Sequence, residues 1–308
     1  AFEEDQHFVV GGAEQLPRGL WELPLRDVVH WPAGSTVADL HPGRATRTAV
    51  AEIARDGDRL RVVDQWGHAA SYDAVLVTCQ SWLLTTGIDV EESLFSPEVW
   101  MALDRTRYFQ SSKTFVMVDR PFWNDIDPAT GRPAMSMTLT DRNTRGTYLF
   151  DLGPDEPGVI CLTYTWMGDA MKVLPMSAAE RAALAIDTLE RIYPTAGLRD
   201  HIVGEPITIS WESDPHFLGA FKGTLPGHYR YNLRMYGHFL QHDLPPHQRG
   251  VFLAGDDVSW TPGWAEGAVQ TALNAVWGIV DHLGGSSHAD TPGPGDLWAA
   301  RGPLTLPE

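Results

Sequence analysis

The segment 250–283 constrains the fold of this chain more than any other part of its sequence. Residues 250–257 (GVFLAGDD) are an apolar run that ends in a glycine and two acids, which predicts a buried strand. After the turn SWTPG, residues 264–283 (WAEGAVQTALNAVWGIVDHL) are typical of a long helix that ends at Gly284 and Gly285. Ligand sites of α/β sheets lie where strands end and helices begin, so the segment predicts a binding site at its turn.

The residues of this turn and helix favour a flat, electron-rich ligand. A helix N-terminus presents free amides and a partial positive charge. Gly255 lets a ligand approach the backbone closely, and Asp256 can accept hydrogen bonds from ligand hydroxyls. Ala265 and Ala268 leave room for a planar ring against the helix. The alternative is a strand packed on a helix with no ligand, but it leaves the two indoles of SWTPGW uncovered, which is costly.

The rest of the sequence contains two kinds of segment. Residues 46–63 predict a β-hairpin with its turn at Asp56-Gly57, and residues 72–78 predict a strand of a parallel sheet. The segments between 107 and 212 predict an antiparallel sheet, with strands in RYFQSSKTFVMVDRPF, MTLTD, TYLFDL, GVICLTYTW and PITISWE. Residues 177–193 predict an amphipathic helix, which Ser177 and Glu180 cap at its start. We therefore expect an α/β layer interleaved with an α+β domain.

Charge and composition limit the class of protein. The net charge of −17 over 308 residues argues against binding to nucleic acid or to anionic membranes. No apolar run is long enough to predict a membrane-spanning helix, and no signal peptide is visible. Cys79 and Cys161 lie in apolar runs and are expected to be buried free thiols, with a disulfide as the alternative. The compartment stays open between cytoplasmic and secreted.

At the turn and helix the sequence resembles a known family. The segment GVFLAGDDVSWTPGWAEGAVQTA is similar to the C-terminal flavin-binding motif of the flavin amine oxidases. It is most similar to the bacterial L-amino-acid oxidase and monooxygenase branch, which includes L-glutamate oxidases, phenylalanine oxidases and tryptophan 2-monooxygenases. Further segments fall in the family's order, namely FVVGGAEQLP, VAEI, SSKTFV, LTYTWMGDA and ISWESDP.

The resemblance implies FAD as cofactor and assigns a role to each matching residue. Val50 resembles the valine whose backbone meets the adenine, and Trp211 resembles the tryptophan beside the isoalloxazine ring. Lys113 resembles the strand lysine that holds a water at flavin N5. Tyr164 resembles the tyrosine that binds the substrate carboxylate. The pair Gly263-Trp264 resembles the residues that receive the amine and form the pocket wall. The catalytic residues implied are Lys113 and Trp264, the substrate-binding residues are Tyr164, Gly263 and Trp264, and the flavin-binding residues are Val50, Trp211, Gly255, Asp256, Trp264, Ala265 and Ala268.

The implied fold is a Rossmann-like FAD-binding domain, incomplete in this chain, interleaved with a substrate domain on an antiparallel sheet with helices. The FAD-binding part is predicted at 29–80 and 246–285, the substrate domain at 1–28 and 81–245, and a surface tail at 286–308. One departure is that no GxGxxG segment and no carboxylate-binding arginine can be placed. We expect both on an N-terminal fragment of the same precursor, in a homo-oligomer of such pairs.

The activity implied first is oxidative deamination of an L-amino acid by O₂, giving a 2-oxo acid, ammonia and hydrogen peroxide. The first alternative is a 2-monooxygenase that decarboxylates the substrate to an amide. A polyamine or monoamine oxidase and a non-catalytic subunit of this fold are further alternatives. The side-chain preference stays open, although Trp166, Phe217 and Trp260 favour an apolar or aromatic substrate. No metal site is expected, and His238, His242 and His247 are interpreted as solvated loop residues.

Overall fold

The computed structural model describes residues 9–26, 31–40 and 48–301 and divides the chain into two units, Ala1–Ala49 and Val50–Glu308. In the described part of the first unit, the helices are α1 (Gln15–Glu22) and α2 (Val37–Leu40). The backbone N–H of Leu25 donates to the carbonyl of Ser35 at 2.7 Å, which ties the chain between the two helices. The sequence predicts the first helix from about Ala13, two residues before its observed start.

The second unit begins with the predicted hairpin. Its first strands are β1 (Val50–Asp56), β2 (Arg59–Asp64), β3 (Ala69–Tyr72), β4 (Val75–Val77) and β5 (Asp89–Val90). Gly57 has φ +59°, which allows the two-residue turn between β1 and β2. Within the described residues these strands form a sheet in the order β3-β2-β1-β5, while β4 pairs with a strand much later in the chain.

A larger antiparallel sheet occupies the middle of the unit. Its strands are β7 (Ser111–Val118), β8 (Thr138–Leu139), β9 (Gly146–Phe150), β10 (Gly158–Trp166) and β11 (Ile202–Ser210), in the order β11-β7-β10-β9-β8 across the described residues. A separate two-stranded ribbon pairs β6 (Tyr108–Phe109) with β12 (Phe221–Lys222). The antiparallel sheet was predicted, and the ribbon was not.

Helices connect and cover these sheets. They are α3 (Leu83–Thr86), α4 (Pro97–Arg105), α5 (Gly168–Val173), α6 (Ala178–Ile192), α7 (Leu198–His201) and α8 (Tyr229–Tyr236). The predicted capping box of α6 is present: Glu180 N–H donates to Ser177 Oγ, and Ser177 N–H donates to Glu180 Oε2. These bonds satisfy amides that the first helical turn leaves free.

The C-terminal part forms the predicted strand–turn–helix. Strand β13 (Val251–Leu253) pairs in parallel with β4, and α9 (Ala265–His282) follows the turn and ends before Gly284, whose φ is +81°. The tail predicted after residue 286 contains one further helix, α10 (Pro294–Arg301). The Trp277 indole of α9 donates to Ser287 Oγ at 3.0 Å, so the tail is attached to that helix.

The second unit has two main hydrophobic cores among the described residues. One joins β1, β2 and α4 to β13 and includes Leu60, Leu103 and Leu253. The other lies between the antiparallel sheet and α6 and includes Ile160 and Leu189. The predicted division into two interleaved domains stays a prediction. No helix within the described ranges combines the length and the apolarity that a bilayer crossing needs.

Two predictions about single residues differ from the structure. His238 is buried, not solvated: its Nε2 bonds the Val251 carbonyl at 3.1 Å, and burial lowers its pKa to about 4. Cys79 is only partly buried, whereas Cys161 is fully buried, and both are free thiols. The burial of His238 could not be predicted because its environment is built by β13, after a loop, and by Phe95, more than a hundred residues earlier.

Candidate functional site

A cavity of about 530 Å³ lies between the antiparallel sheet, the β6–β12 ribbon and the start of α9. It is open on one side and is lined by aromatic, small and charged side chains. Those residues are Ser111, Lys113, Tyr164, Trp166, Trp211, Ala220, Phe221, Asp256, Pro262, Gly263, Trp264, Ala265 and Ala268. A cleft of this size and mixed character is typical of small-molecule sites.

The sheet brings four of these side chains to one face. Alternation along β7 places Ser111 and Lys113 on the same side, and alternation along β10 does the same for Tyr164 and Trp166. The two strands are antiparallel and in register, so that Tyr164 pairs with Lys113 and Trp166 pairs with Ser111. Trp211 follows β11, whose Ile209 pairs with Lys113 on the other side.

Lys113 lies beside two aromatic rings. Its Nζ lies 4.5 Å from the ring centroid of Tyr164 and 5.7 Å from that of Trp211. A cation over aromatic faces is stabilised by their quadrupoles, which holds the ammonium in place at the cavity. The Tyr164 and Trp166 rings meet edge to face with their centroids 5.4 Å apart. The Trp166 and Phe221 rings do the same with their centroids 5.6 Å apart. This series of rings forms an aromatic wall.

The turn after β13 supplies the polar side of the cavity. Asp256 Oδ2 accepts a hydrogen bond from the Gly263 N–H at 2.7 Å, which closes the turn. Burial raises the pKa of Asp256, and the neighbouring Asp257 carboxylate acts in the same direction. Gly263 has φ +82°, a conformation that residues with a side chain adopt at a cost. The turn therefore depends on a glycine at this position.

The start of α9 faces the cavity through Trp264, Ala265 and Ala268. Trp264 is the N-cap residue, and its indole has no oxygen to accept from the first-turn amides. Its side chain is 72% exposed. A Cβ at Gly267 would lie 2.3 Å from Ser259 Oγ, so a glycine lets the helix pack directly on the turn. The helix end thus offers amides and an uncovered indole to the cavity.

Two buried polar atoms beside the cavity lack partners. The Ser111 hydroxyl, on the cavity lining, and Glu212 Oε1 have no hydrogen-bond partner among the described residues. The other Glu212 oxygen accepts from the Ser111 N–H at 3.2 Å. Buried polar atoms are nearly always paired, so an unpaired hydroxyl on a cavity wall indicates a site built for a polar ligand.

Comparison with known proteins decides the family. Residues 1–280 match the model of the flavin containing amine oxidoreductases. The chain belongs to this family. The match confirms the predicted family, the mixed α/β fold and FAD as the cofactor. The residues present fit a flavin, because the unpaired Ser111 hydroxyl, the Asp256 carboxylate and the small residues of α9 lie on one cavity with a wall of rings.

The relatives include tryptophan 2-monooxygenases. That of Pseudomonas savastanoi is 30% identical over 308 residues, covering 94% of this chain and 53% of its own length. That of Rhizobium radiobacter is 30% identical, covering 92% of this chain and 38% of its own length. A putative L-amino-acid oxidase of Bacillus subtilis is 23% identical over 58% of this chain. The chain therefore spans about half or less of the length of these relatives.

Solved structures show the same fold. A triple mutant of a putrescine oxidase superposes with a TM-score of 0.55 at 13% identity and covers 77% of this chain and 48% of its own. The wild-type putrescine oxidase bound to putrescine gives a TM-score of 0.54 at 15% identity, covering 76% and 47%.

Most residues expected at the flavin amine oxidase site lie together. Eight of the ten line the cavity, namely Lys113, Tyr164, Trp211, Asp256, Gly263, Trp264, Ala265 and Ala268. Gly255 lies directly before Asp256, and its N–H donates to Thr271 Oγ1 at 3.0 Å. Val50 lies at the start of β1, outside the cavity lining. The roles of all ten residues stay predictions.

Five lining residues were not assigned a site role from the sequence: Ser111, Trp166, Ala220, Phe221 and Pro262. Of the three residues expected to favour an aromatic substrate, Trp166 lines this cavity, and Phe217 and Trp260 are not in its lining. Strand alternation could have identified two of them, because Ser111 is two residues from Lys113 and Trp166 is two residues from Tyr164. Phe221 lies on a two-residue strand that carries no periodic signal. Its position depends on pairing with β6, more than a hundred residues earlier.

Proposed function

We propose that the protein containing this chain is a flavin-dependent 2-monooxygenase of an aromatic L-amino acid. The observation that carries the proposal is that one cavity is lined by Lys113 between two aromatic rings, by the aromatic wall, and by the acidic turn at the start of α9. The tryptophan 2-monooxygenase relatives favour this activity over the oxidative deamination expected first from the sequence. The overall reaction converts amino acid and O₂ into amide, CO₂ and water.

The aromatic wall supports an aromatic substrate. Trp166 and Phe221 both line the cavity, and an indole or phenyl group packs on aromatic rings with about 0.5–1.5 kcal/mol beyond the burial of its area. Tyr164, on the same face, carries a hydroxyl that can donate to the substrate carboxylate. These residues would hold the substrate at its two ends.

The turn and helix would hold the substrate amine and the flavin. In this proposal the Gly263 carbonyl accepts from the amine, and the exposed Trp264 indole excludes water above it. Asp256 accepts from flavin hydroxyls, while Ala265 and Ala268 leave space for the ring. When bound, the flavin supplies the acceptor for two electrons from the substrate Cα. Lys113, fixed by its two aromatic neighbours, places a proton donor at the cavity.

Helix α9 supports a second part of the proposal, that the flavin site is completed by a segment outside this chain. Its inner face packs on β13, yet its outer face carries a line of apolar side chains with four-three spacing. These are Val269, Leu273, Val276 and Val280, with Leu283 directly after the last helical residue, each between 42% and 61% exposed. A helix that is apolar on both faces is normally buried on both.

The parallel pair of β4 and β13 leads to the same inference. Parallel sheets are normally covered on both faces and contain several strands, whereas β4 and β13 form a pair within the described residues. Because the relatives are about twice as long as this chain, we infer that the same precursor supplies further strands and the phosphate-binding loop. We call the five residues of the α9 outer face the apolar stripe and propose it as their docking surface. Assembly into homo-oligomers stays a prediction.

Product analysis tests the proposed activity. The complete protein is purified with its flavin and incubated with each of the twenty amino acids, tryptamine and putrescine. We expect an aromatic L-amino acid to give its amide and CO₂ in equal amounts. A 2-oxo acid with ammonia and hydrogen peroxide would instead establish the deaminating oxidase. Turnover of tryptamine or putrescine in preference to amino acids would contradict an amino-acid substrate, and a protein that binds no flavin would contradict an enzymatic role.

A further inference from the structure

A buried polar cluster lies directly behind the turn that lines the cavity. Asp257 is almost fully buried, and its Oδ2 accepts from the Ser81 N–H at 3.0 Å, from Ser81 Oγ at 2.8 Å and from the Tyr108 hydroxyl. The Lys222 ammonium, also buried, donates to the main-chain carbonyl of Asp257. Three buried residues from separate segments, Ser81, Tyr108 and Lys222, therefore converge on one residue of the turn.

The β6–β12 ribbon explains how these residues meet. Tyr108 pairs with Lys222, and Phe109 pairs with Phe221. Because side chains alternate along a strand, the two phenylalanines share one face and the tyrosine and lysine share the other. Phe221 lines the cavity, so Lys222 lies on the opposite face, towards Asp257. The ribbon thus joins the cavity wall to the buried cluster.

The turn divides its two acids in the same way. Asp256 lines the cavity and accepts from Gly263 N–H, whereas Asp257 faces the buried cluster. Two adjacent carboxylates repel each other, and burial adds a cost to each charge. The Lys222 ammonium opposes that repulsion, since it attracts both carboxylates. Its removal would leave two acids beside each other without this cation.

We propose that Lys222 is a positioning residue of the flavin site: from behind the turn, its buried ammonium keeps the Asp256 carboxylate ionised on the cavity side. The inference rests on the proposed role of Asp256 in binding flavin hydroxyls. An ionised carboxylate accepts stronger hydrogen bonds than a protonated one, so the charge of Lys222 should increase the affinity for the flavin. Burial lowers the pKa of Lys222 to about 8, so the ammonium form prevails below that pH.

Several other groups face this cluster. The titratable or charged residues that interact within it are Asp256 and Asp257 on the turn, Tyr108 on β6, Cys79 after β4, Lys222 on β12 and His228 before α8. Glu266 lies in the first turn of α9, and Lys113 lies elsewhere on the cavity lining. Burial raises the pKa values of Tyr108 and Cys79, so neither ionises near neutral pH. Burial lowers the pKa of His228, so this group also titrates in acid. The experiment must therefore distinguish its protonation from that of Asp256.

The test measures the FAD affinity of the complete apoprotein from neutral pH towards acid. The wild type should lose affinity towards acid as Asp256 is protonated. We call the pH at which half of the FAD affinity is lost the acid midpoint. Lys222→Gln keeps an N–H for the Asp257 carbonyl but removes the charge, so its acid midpoint should rise by about one pH unit or more. Lys222→Arg should restore it. Asp257→Asn removes the neighbouring negative charge and should move the midpoint in the opposite direction.

The outcomes separate this inference from the proposed function. A uniform loss of affinity in Lys222→Gln, with an unchanged midpoint, would overturn the inference, because a purely structural role has no pH signature. If Lys222→Gln does not fold, Lys222→Met, also uncharged and similar in length, takes its place with the same expected shift. Asp256→Asn is the control: an acid limb that persists in it belongs to another group such as His228, and removes Asp256 from the flavin site. A limb that vanishes in Asp256→Asn, but is unmoved by Lys222→Gln and Asp257→Asn, overturns the role of Lys222 alone.

Discussion

Leu273, in the centre of the apolar stripe, offers a quantitative test of the proposal that a further segment of the precursor covers α9. Its side chain is 61% exposed in this chain. Complete burial of a leucine side chain stabilises a protein by about 1.5–3 kcal/mol. Covering the exposed three fifths therefore contributes about 1–2 kcal/mol, and a residual cavity would add to the cost of truncation. Leu273→Ala should lower the free energy of unfolding of the complete protein by at least that amount.

Leu139 provides a matched control, since it is the same residue type and is 60% exposed, on β8 and away from α9. Urea denaturation of the complete protein is followed for Leu273→Ala, Leu139→Ala and the wild type. We expect Leu139→Ala to change stability by less than about 0.5 kcal/mol, as surface substitutions do. Equal, small effects of the two substitutions would mean that the stripe is exposed in the complete protein, and the docking argument would fail.

Three further predictions concern the cavity and the core. Lys113→Met should leave the flavin bound but slow turnover by about 100-fold or more, measured by stopped-flow reduction and reoxidation; wild-type rates in both would exclude Lys113 from the chemistry. Trp166→Ala should raise the KM for an aromatic substrate about 5-fold more than the KM for alanine, since ring contacts of about 1 kcal/mol are lost. Equal changes for the two substrates would refute the aromatic wall. His238 has a folded-state pKa of about 4 and an ordinary value of 6.5, so the unfolded state binds its proton first and stability falls as pH drops between these values. That loss, about 3 kcal/mol from the cited shift, should be absent in His238→Gln, and identical pH profiles would contradict it.

Local patterns predicted the elements whose signals are local. The Ser177–Glu180 spacing located the start of α6, the Asp56-Gly57 turn located the first hairpin, and Gly284 marked the end of α9. Each of these depends on hydrogen bonds or dihedral angles within a few residues. The cavity could be anticipated for the same reason, because most of its predicted lining comes from one continuous strand–turn–helix segment.

The unpredicted features all depend on contacts that are distant in sequence. The β6–β12 strands have two residues each, too few for a period, and only their pairing makes them strands. The partners of Asp257 lie 149 and 176 residues away in the chain, and nothing near Lys222 indicates that it is buried. Two acids after a strand form the same sequence pattern whether both of them contact solvent or only one does.

Asp256 faces the cavity and Asp257 faces the buried cluster, and this difference matters when members of this family are compared. An alignment shifted by one residue in this turn would equate Asp256 of this chain, which lines the cavity, with the buried acid of a relative. An alignment should therefore first match the strands β6 and β12, because their Tyr108 and Lys222 contact Asp257 and so identify the buried acid. The remaining acid of the pair is the one to which a ligand-binding role is transferred.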